Sequence, residues 1–218
     1  MRIRGIERPG PEKRIIPPGE LKIIEPLIEK MGTVWAHRAP PTSGLSRMAV
    51  YGHSFMSLRR LDPFFIEKIG GSRLVDLGAG EPDCMTHFAM ACGASDYVAV
   101  DRYVNYAKKV PPFINVRYVN QDMLMFMAEQ PDKSANVVML AIDHIILGNY
   151  EDRMTERLYK GMLLAEIKRV VPTGGIAFGM NCELLLGLDD MGFERVSELS
   201  GKRLPDEYLE GGIFMKIQ

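Results

Sequence analysis

From Asp62 onward, short apolar runs alternate with helical stretches at a spacing that few architectures accommodate. "RLVDLG", "YVAVD", "NVRYVNQD", "ANVVMLAID" and "GIAFGMN" read as strands, the second ending in Asp101 and the third in Asp122. Helices fill the intervals. "DPFFIEKIGG" leads in, and "EPDCMTHFAMACGA" places Met85, Phe88, Ala89 and Cys92 on one face before Gly93 stops it. "RYVNYAKKV" and "MLMFMAEQ" follow, and a long segment over 150–171 carries Tyr159, Leu163, Ile167 and Val170 on one stripe. Strands that alternate with helices in this way predict an α/β fold with a doubly wound, mostly parallel sheet. The closing stretches "GFERVSEL" and "GGIFMKI" have no helix between them, so the expected seven-stranded sheet ends in a C-terminal antiparallel hairpin strand.

Residues 1–60 read differently. "RPGPEK", "IIPPGE" and "APPTSG" predict turns and loops around one short apolar helix near Leu21 to Met31. The expectation is therefore an N-terminal arm or lid, 1–60, appended to a single domain over 61–218. Charge divides at the same place, with 11 Lys+Arg against 5 Asp+Glu in residues 1–60 and 16 against 23 in the remainder. The basic arm either packs on its acidic body or attracts an anionic substrate. Basic residues are not interleaved with enough aromatics to make a nucleic-acid surface, so that partner is unsupported. Cys84, Cys92 and Cys182 are too few and too scattered for a disulfide framework or a zinc site, which points to a reducing, cytoplasmic setting. No apolar run reaches the roughly 20 residues of a membrane span, and the first residues lack a signal peptide's apolar core.

The turn after the first strand, "GAGEPD", falls where open parallel sheets bind ligands, outside the carboxyl ends of the strands. Gly78 and Gly80 allow backbone to approach a ligand closely. A dinucleotide-binding turn would want a third glycine at position 83, where this chain has Asp83. A pyrophosphate would be repelled by Glu81 and Asp83, whereas a cationic or zwitterionic ligand would not. Asp76, Asp101 and Asp122, at three successive strand ends, offer acceptors to an amine, a ribose diol and an exocyclic amine. Any one of them, taken alone, reads equally well as a helix cap.

Taken together, "VDLGAG", "VAVDRY", "VNQDML", "ANVVMLAIDHIIL" and "LLAEIKRVVPTGGIAF" resemble, in order and spacing, the motifs of the class I S-adenosylmethionine-dependent methyltransferases, over about 150 residues. The resemblance implies a Rossmann-like domain, S-adenosylmethionine as cofactor, and methyl transfer to an oxygen, nitrogen or carbon nucleophile. It implies that Asp76, Gly78, Ala79 and Gly80 surround the methionine moiety and that Asp101 takes the ribose hydroxyls. Arg102 or Tyr103 would lie along the adenine, Asp122 would accept from the adenine amine, and the Met123 amide would donate to a ring nitrogen. Ala141 and Ile142 would border the sulfonium. Pro82 stands where many members of the family have a glycine.

Chemistry at a sulfonium needs mainly an aligned nucleophile and, for an alcohol or amine, a proton acceptor. His144, just after the fourth strand, is the candidate general base, and Asp143 beside it the candidate for orienting the acceptor; packing or capping is the simpler reading of each. No set of carboxylate or amide ligands suggests a metal. The arm supplies Trp35, His37, Arg38, Tyr51 and His53, which would suit a small anionic or aromatic acceptor. Two alternatives stand beside this: an enzyme that methylates RNA or protein, and a non-catalytic relative that uses the fold for binding.

Overall fold

The structure, a computed structural model, describes residues 12–38, 63–80, 83–102, 111, 113–140, 153–180, 182–199, 202–203 and 212–218. Helix α1 (Pro18–Arg38) and helix α2 (Pro63–Ile69) precede β1 (Arg73–Leu77), α3 (Asp83–Ala91), β2 (Asp96–Val100) and β3 (Val116–Val119). After them come α4 (Met123–Ala128), β4 (Asn136–Leu140), α5 (Arg153–Val170) and β5 (Ile176–Met180). A 3₁₀ segment (Glu183–Met191) leads to β6 (Phe193–Val196), the short strands β7 (Glu198–Leu199) and β8 (Lys202–Arg203), and finally β9 (Gly212–Lys216). Seven strands form one sheet in the order β3-β2-β1-β4-β5-β9-β6. The pairs β1/β2, β1/β4, β2/β3 and β4/β5 are parallel, and β9 runs antiparallel to both β5 and β6. This is the doubly wound sheet with a C-terminal antiparallel hairpin that the alternation predicts, and it is the Rossmann-like class.

Side chains alternate across the sheet with the period of two that a strand imposes. Val75, Leu77, Val98, Val100, Val137 and Met139 face one way, toward α1, α4 and α5. Leu74, Tyr97, Ala99, Val138 and Phe178 face the other, where Phe65 and Ile69 of α2, Met85 and Phe88 of α3 and Cys92 just after it complete the layer. Every residue of β4 is buried, as a central strand covered on both faces requires. On α5, Tyr159, Leu163, Ile167 and Val170 are each fully buried, and the three aliphatic ones each stabilise the fold by about 1.5–3 kcal/mol.

Three features depart from the sequence reading. Helix α1 runs well past Leu21 to Met31 at both ends, with Pro26 inside it. Proline removes the amide that would serve the Lys22 carbonyl, but both residues lie on the exposed side, where water takes that acceptor. The opposite side, Ile24, Leu27 and Met31, is buried in the core shared with α4 and α5. The 3₁₀ segment was not anticipated. It buries Leu184, Leu185 and Leu188, and its approach to the sheet depends on Gly179, where a Cβ would lie 2.3 Å from the Met139 carbonyl oxygen and 2.9 Å from Leu185. Strand β3 stops at Val119 rather than Asp122, because the latter's side chain is engaged in starting α4.

The far end of α4 is held from two directions. Arg169 of α5 donates to the carbonyls of Met127 and Gln130 at 2.8 and 2.7 Å and pairs with Glu166 and Asp132, each at 2.6 Å. From the segment before α1, the Arg14 amide donates to the Glu129 carbonyl at 2.7 Å. A six-residue helix has too few internal bonds to stand alone, so these contacts fix the orientation of the residue at its start.

Candidate functional site

At the carboxyl end of β1 the chain turns through Gly78 (φ +65°) and Gly80 (φ +54°), both left-handed, a conformation that costs other L-residues roughly 1–2 kcal/mol. Between them Ala79 is buried, and its amide donates to the Val100 carbonyl at 3.0 Å. The Gly80 amide donates to Asp101 Oδ2 at 2.9 Å. The turn is thereby tied twice to the tip of β2. Asp101 in turn continues the ladder to β3 through its own amide, 3.1 Å from the Val119 carbonyl oxygen.

The three acids occupy different environments. Asp76 lies inside β1, almost fully buried on the α2/α3 face, where Tyr97 donates its hydroxyl to Oδ2 at 2.7 Å. Asp101 is partly buried at the strand tip. Asp122 is the N-cap of α4, with extended backbone (φ −65°, ψ 141°). Its Oδ1 accepts from the Leu124 and Met125 amides at 2.9 and 3.4 Å and from the Tyr159 hydroxyl at 3.0 Å. Its Oδ2 is buried and takes no hydrogen bond among the described residues.

Burial pushes the Asp122 carboxyl above the usual range, against the opposing pull of the Tyr159 hydroxyl, the two amides and Arg102. The Tyr159 phenol is pushed well up, by burial first and then by the neighbouring carboxylate, and so keeps its proton as a donor. Arg102 follows Asp101 and connects two elements: its Nη1 is 3.8 Å from Asp122 Oδ2 and donates to the Ile28 carbonyl of α1 at 3.2 Å. Met123, the first residue of α4, is buried in the same core as Ile24, Leu27 and Met31 of α1.

Of the residues expected from sequence, Gly78, Ala79, Gly80 and Asp101 form one connected turn, and Arg102, Asp122 and Met123 a second group beside it, joined through the Asp101–Arg102 peptide. Asp76 lies below the tip, within the strand. Trp35, His37 and Arg38 belong to the last turns of α1. Tyr51, His53, Tyr103, Ala141, Ile142, Asp143 and His144 lie outside the described residues. Sequence reasoning missed the two tyrosines that hold carboxylates. The available signal was the phenol hydroxyl itself, because a buried tyrosine usually finds a polar partner. Among the described residues no group of His, Cys, Asp and Glu could hold a metal ion, and no helix is long and apolar enough to cross a membrane.

No family model matches the chain, and no curated protein does. Several solved structures are similar in fold. One is described as a type II methyltransferase from Anaeromyxobacter dehalogenans: 15% identical, TM-score 0.40, covering 56% of this chain and 46% of that one. Another comes from the complex containing the Haloferax volcanii Trm112 methyltransferase activator: 12% identical, TM-score 0.46, covering 71% and 87%. A third is described as a Streptococcus mutans methyltransferase in complex with SAH: 14% identical, TM-score 0.40, covering 70% and 90%. This chain spans less than half of the first of these and most of the other two. At such identities and TM-scores, the similarities assign it no substrate and no catalytic residue.

Proposed function

We propose that this chain is an S-adenosylmethionine-dependent methyltransferase acting on a small-molecule acceptor that is anionic or aromatic. The observation that carries the reading is the arrangement at the switch point of the sheet. A glycine turn is tied to Asp101, and beside it Asp122 keeps one buried oxygen with no hydrogen bond among the described residues. The Arg102 guanidinium, 3.8 Å away, offsets its charge but is too far to hydrogen-bond it, so a ligand donor would complete the oxygen, and an adenine amine is such a donor. The residues therefore fit the nucleoside.

On this reading Gly78 and Gly80 let backbone approach the methionine portion, Asp101 accepts from the ribose, and Asp122 accepts from the base. Asp76 takes the ammonium, directly or through water. When bound, the cofactor supplies a methyl group on a sulfonium, already electrophilic enough to need only alignment of the attacking atom. Asp143 and His144, following β4, would orient that atom and accept its proton. The N-terminal segment, 1–60, would cover the site; α1 already lies against α4 and α5 and meets Arg102, which supports that placement. Trp35, His37, Arg38, Tyr51 and His53 would contact the acceptor.

Incubation with S-adenosylmethionine labelled in its methyl group, against separated fractions of small metabolites, RNA and protein, tests the proposal. Label in a metabolite fraction is the expected result. Label confined to RNA or protein would overturn the acceptor class, and no transfer together with no binding would overturn the enzyme.

A further inference from the structure

Resting on the methyltransferase reading, we propose that Tyr159 is a positioning residue that sets which nucleobase the site accepts: it occupies one oxygen of Asp122 and leaves the other to read an exocyclic amine. Tyr159 projects from α5 into the space beneath the start of α4 and is fully buried. The stripe on which it lies is hydrocarbon toward the C-terminus (Leu163, Ile167 and Val170), with Thr155 one turn before it, and the Tyr159 hydroxyl is the one that meets a carboxylate. The hydroxyl reaches Asp122 Oδ1, the oxygen that also takes the Leu124 and Met125 amides. Three donors converge on a single oxygen. They hold the carboxylate through Oδ1 from the side of α4 and α5 and leave Oδ2 with no hydrogen bond among the described residues, Arg102 Nη1 lying at 3.8 Å, beyond hydrogen-bond range.

An ionised carboxylate only accepts. A base presenting an amine to Oδ2 completes it, whereas a base presenting a carbonyl sets acceptor against acceptor in a buried place. Sites built around such a polar match reject the mismatched analogue strongly. The discrimination depends on Oδ1 remaining occupied, because a carboxylate that can tilt lets water or Arg102 satisfy Oδ2 in place of the ligand. Without Tyr159, the hydrogen bonds left to it among the described residues are those of the two amides.

The test compares S-adenosylhomocysteine with its 6-oxo analogue, S-inosylhomocysteine, by calorimetry on wild type, Tyr159→Phe and Asp122→Asn. Wild type is expected to prefer the amine by about tenfold or more, the equivalent of one hydrogen bond to a charged group. In Tyr159→Phe the ratio is expected to fall to about threefold or less, mainly through weaker binding of the amine compound. In Asp122→Asn it should approach unity or invert, because an amide donates to the carbonyl. A merely structural role would weaken both ligands equally, and an unchanged ratio in Tyr159→Phe overturns the inference while leaving the methyltransferase reading intact. An unchanged ratio in Asp122→Asn overturns it even if Tyr159→Phe does not fold. Failure of wild type to bind either ligand removes the inference together with the reading it rests on.

Discussion

Asp122 has two roles in this account, and substitution separates them. Asp122→Ala leaves the Leu124 and Met125 amides and the Tyr159 hydroxyl without their shared acceptor. Loss of the cap costs about 1 kcal/mol, and the stranded, fully buried hydroxyl about 1–3 kcal/mol more. The sum, ~2–4 kcal/mol, lowers Tm by roughly 4–16 °C for a chain of this size. Asp122→Asn keeps an oxygen for all three donors and caps as well as aspartate. It also removes a carboxyl that burial holds above the usual range. Because the folded state binds that proton more readily than the unfolded state, the wild-type group favours folding below its unfolded value and loses this contribution as pH rises through the raised folded value. Asn carries no such term, so its stability relative to wild type should improve from pH 4 toward pH 8. Urea melts of the three proteins at both pH values measure this. An alanine variant as stable as wild type, or an asparagine variant as unstable as the alanine one, would refute the assignment of Oδ1 to the cap.

Other consequences are as open to measurement. Arg169→Ala strands the Met127 and Gln130 carbonyls at the end of α4, should cost about 2–4 kcal/mol, and should speed hydrogen exchange in 123–130 more than in α3; equal exchange in both helices would count against the clasp. Burial pushes the Cys92 thiol up to about 12, so at pH 8 it should resist alkylation in the folded protein and react once denatured, as mass spectrometry of the tryptic peptides can check.

Most of the fold could be read from periodicity, because the physics that decides it is local. The stripe Tyr159, Leu163, Ile167 and Val170 and the face Met85, Phe88, Ala89 and Cys92 are buried as their spacing implies. A positive φ at Gly93 likewise ends α3 where the glycine suggested. The extent of α1 was hidden by Pro26, since propensity alone stops a helix there and only docking against α4 and α5 shows that the lost hydrogen bond falls on the outer face. "ELLLGLDDM" carries too short an apolar run to declare its geometry, and its place depends on contact with Gly179 of β5. Within the site, the glycine turn and Asp101 followed from strand order. The hold of Tyr159 on Asp122 did not, because those residues are 37 apart in sequence and nothing in either neighbourhood marks the pairing.

The most direct test is calorimetric titration of S-adenosylhomocysteine into wild type and Asp101→Ala, with circular dichroism to confirm that both are folded. The account predicts saturable one-to-one binding to wild type, weakened at least about tenfold in the variant by loss of charge-assisted hydrogen bonds to the ribose. Silence from wild type, or equal affinity in both proteins, would contradict it.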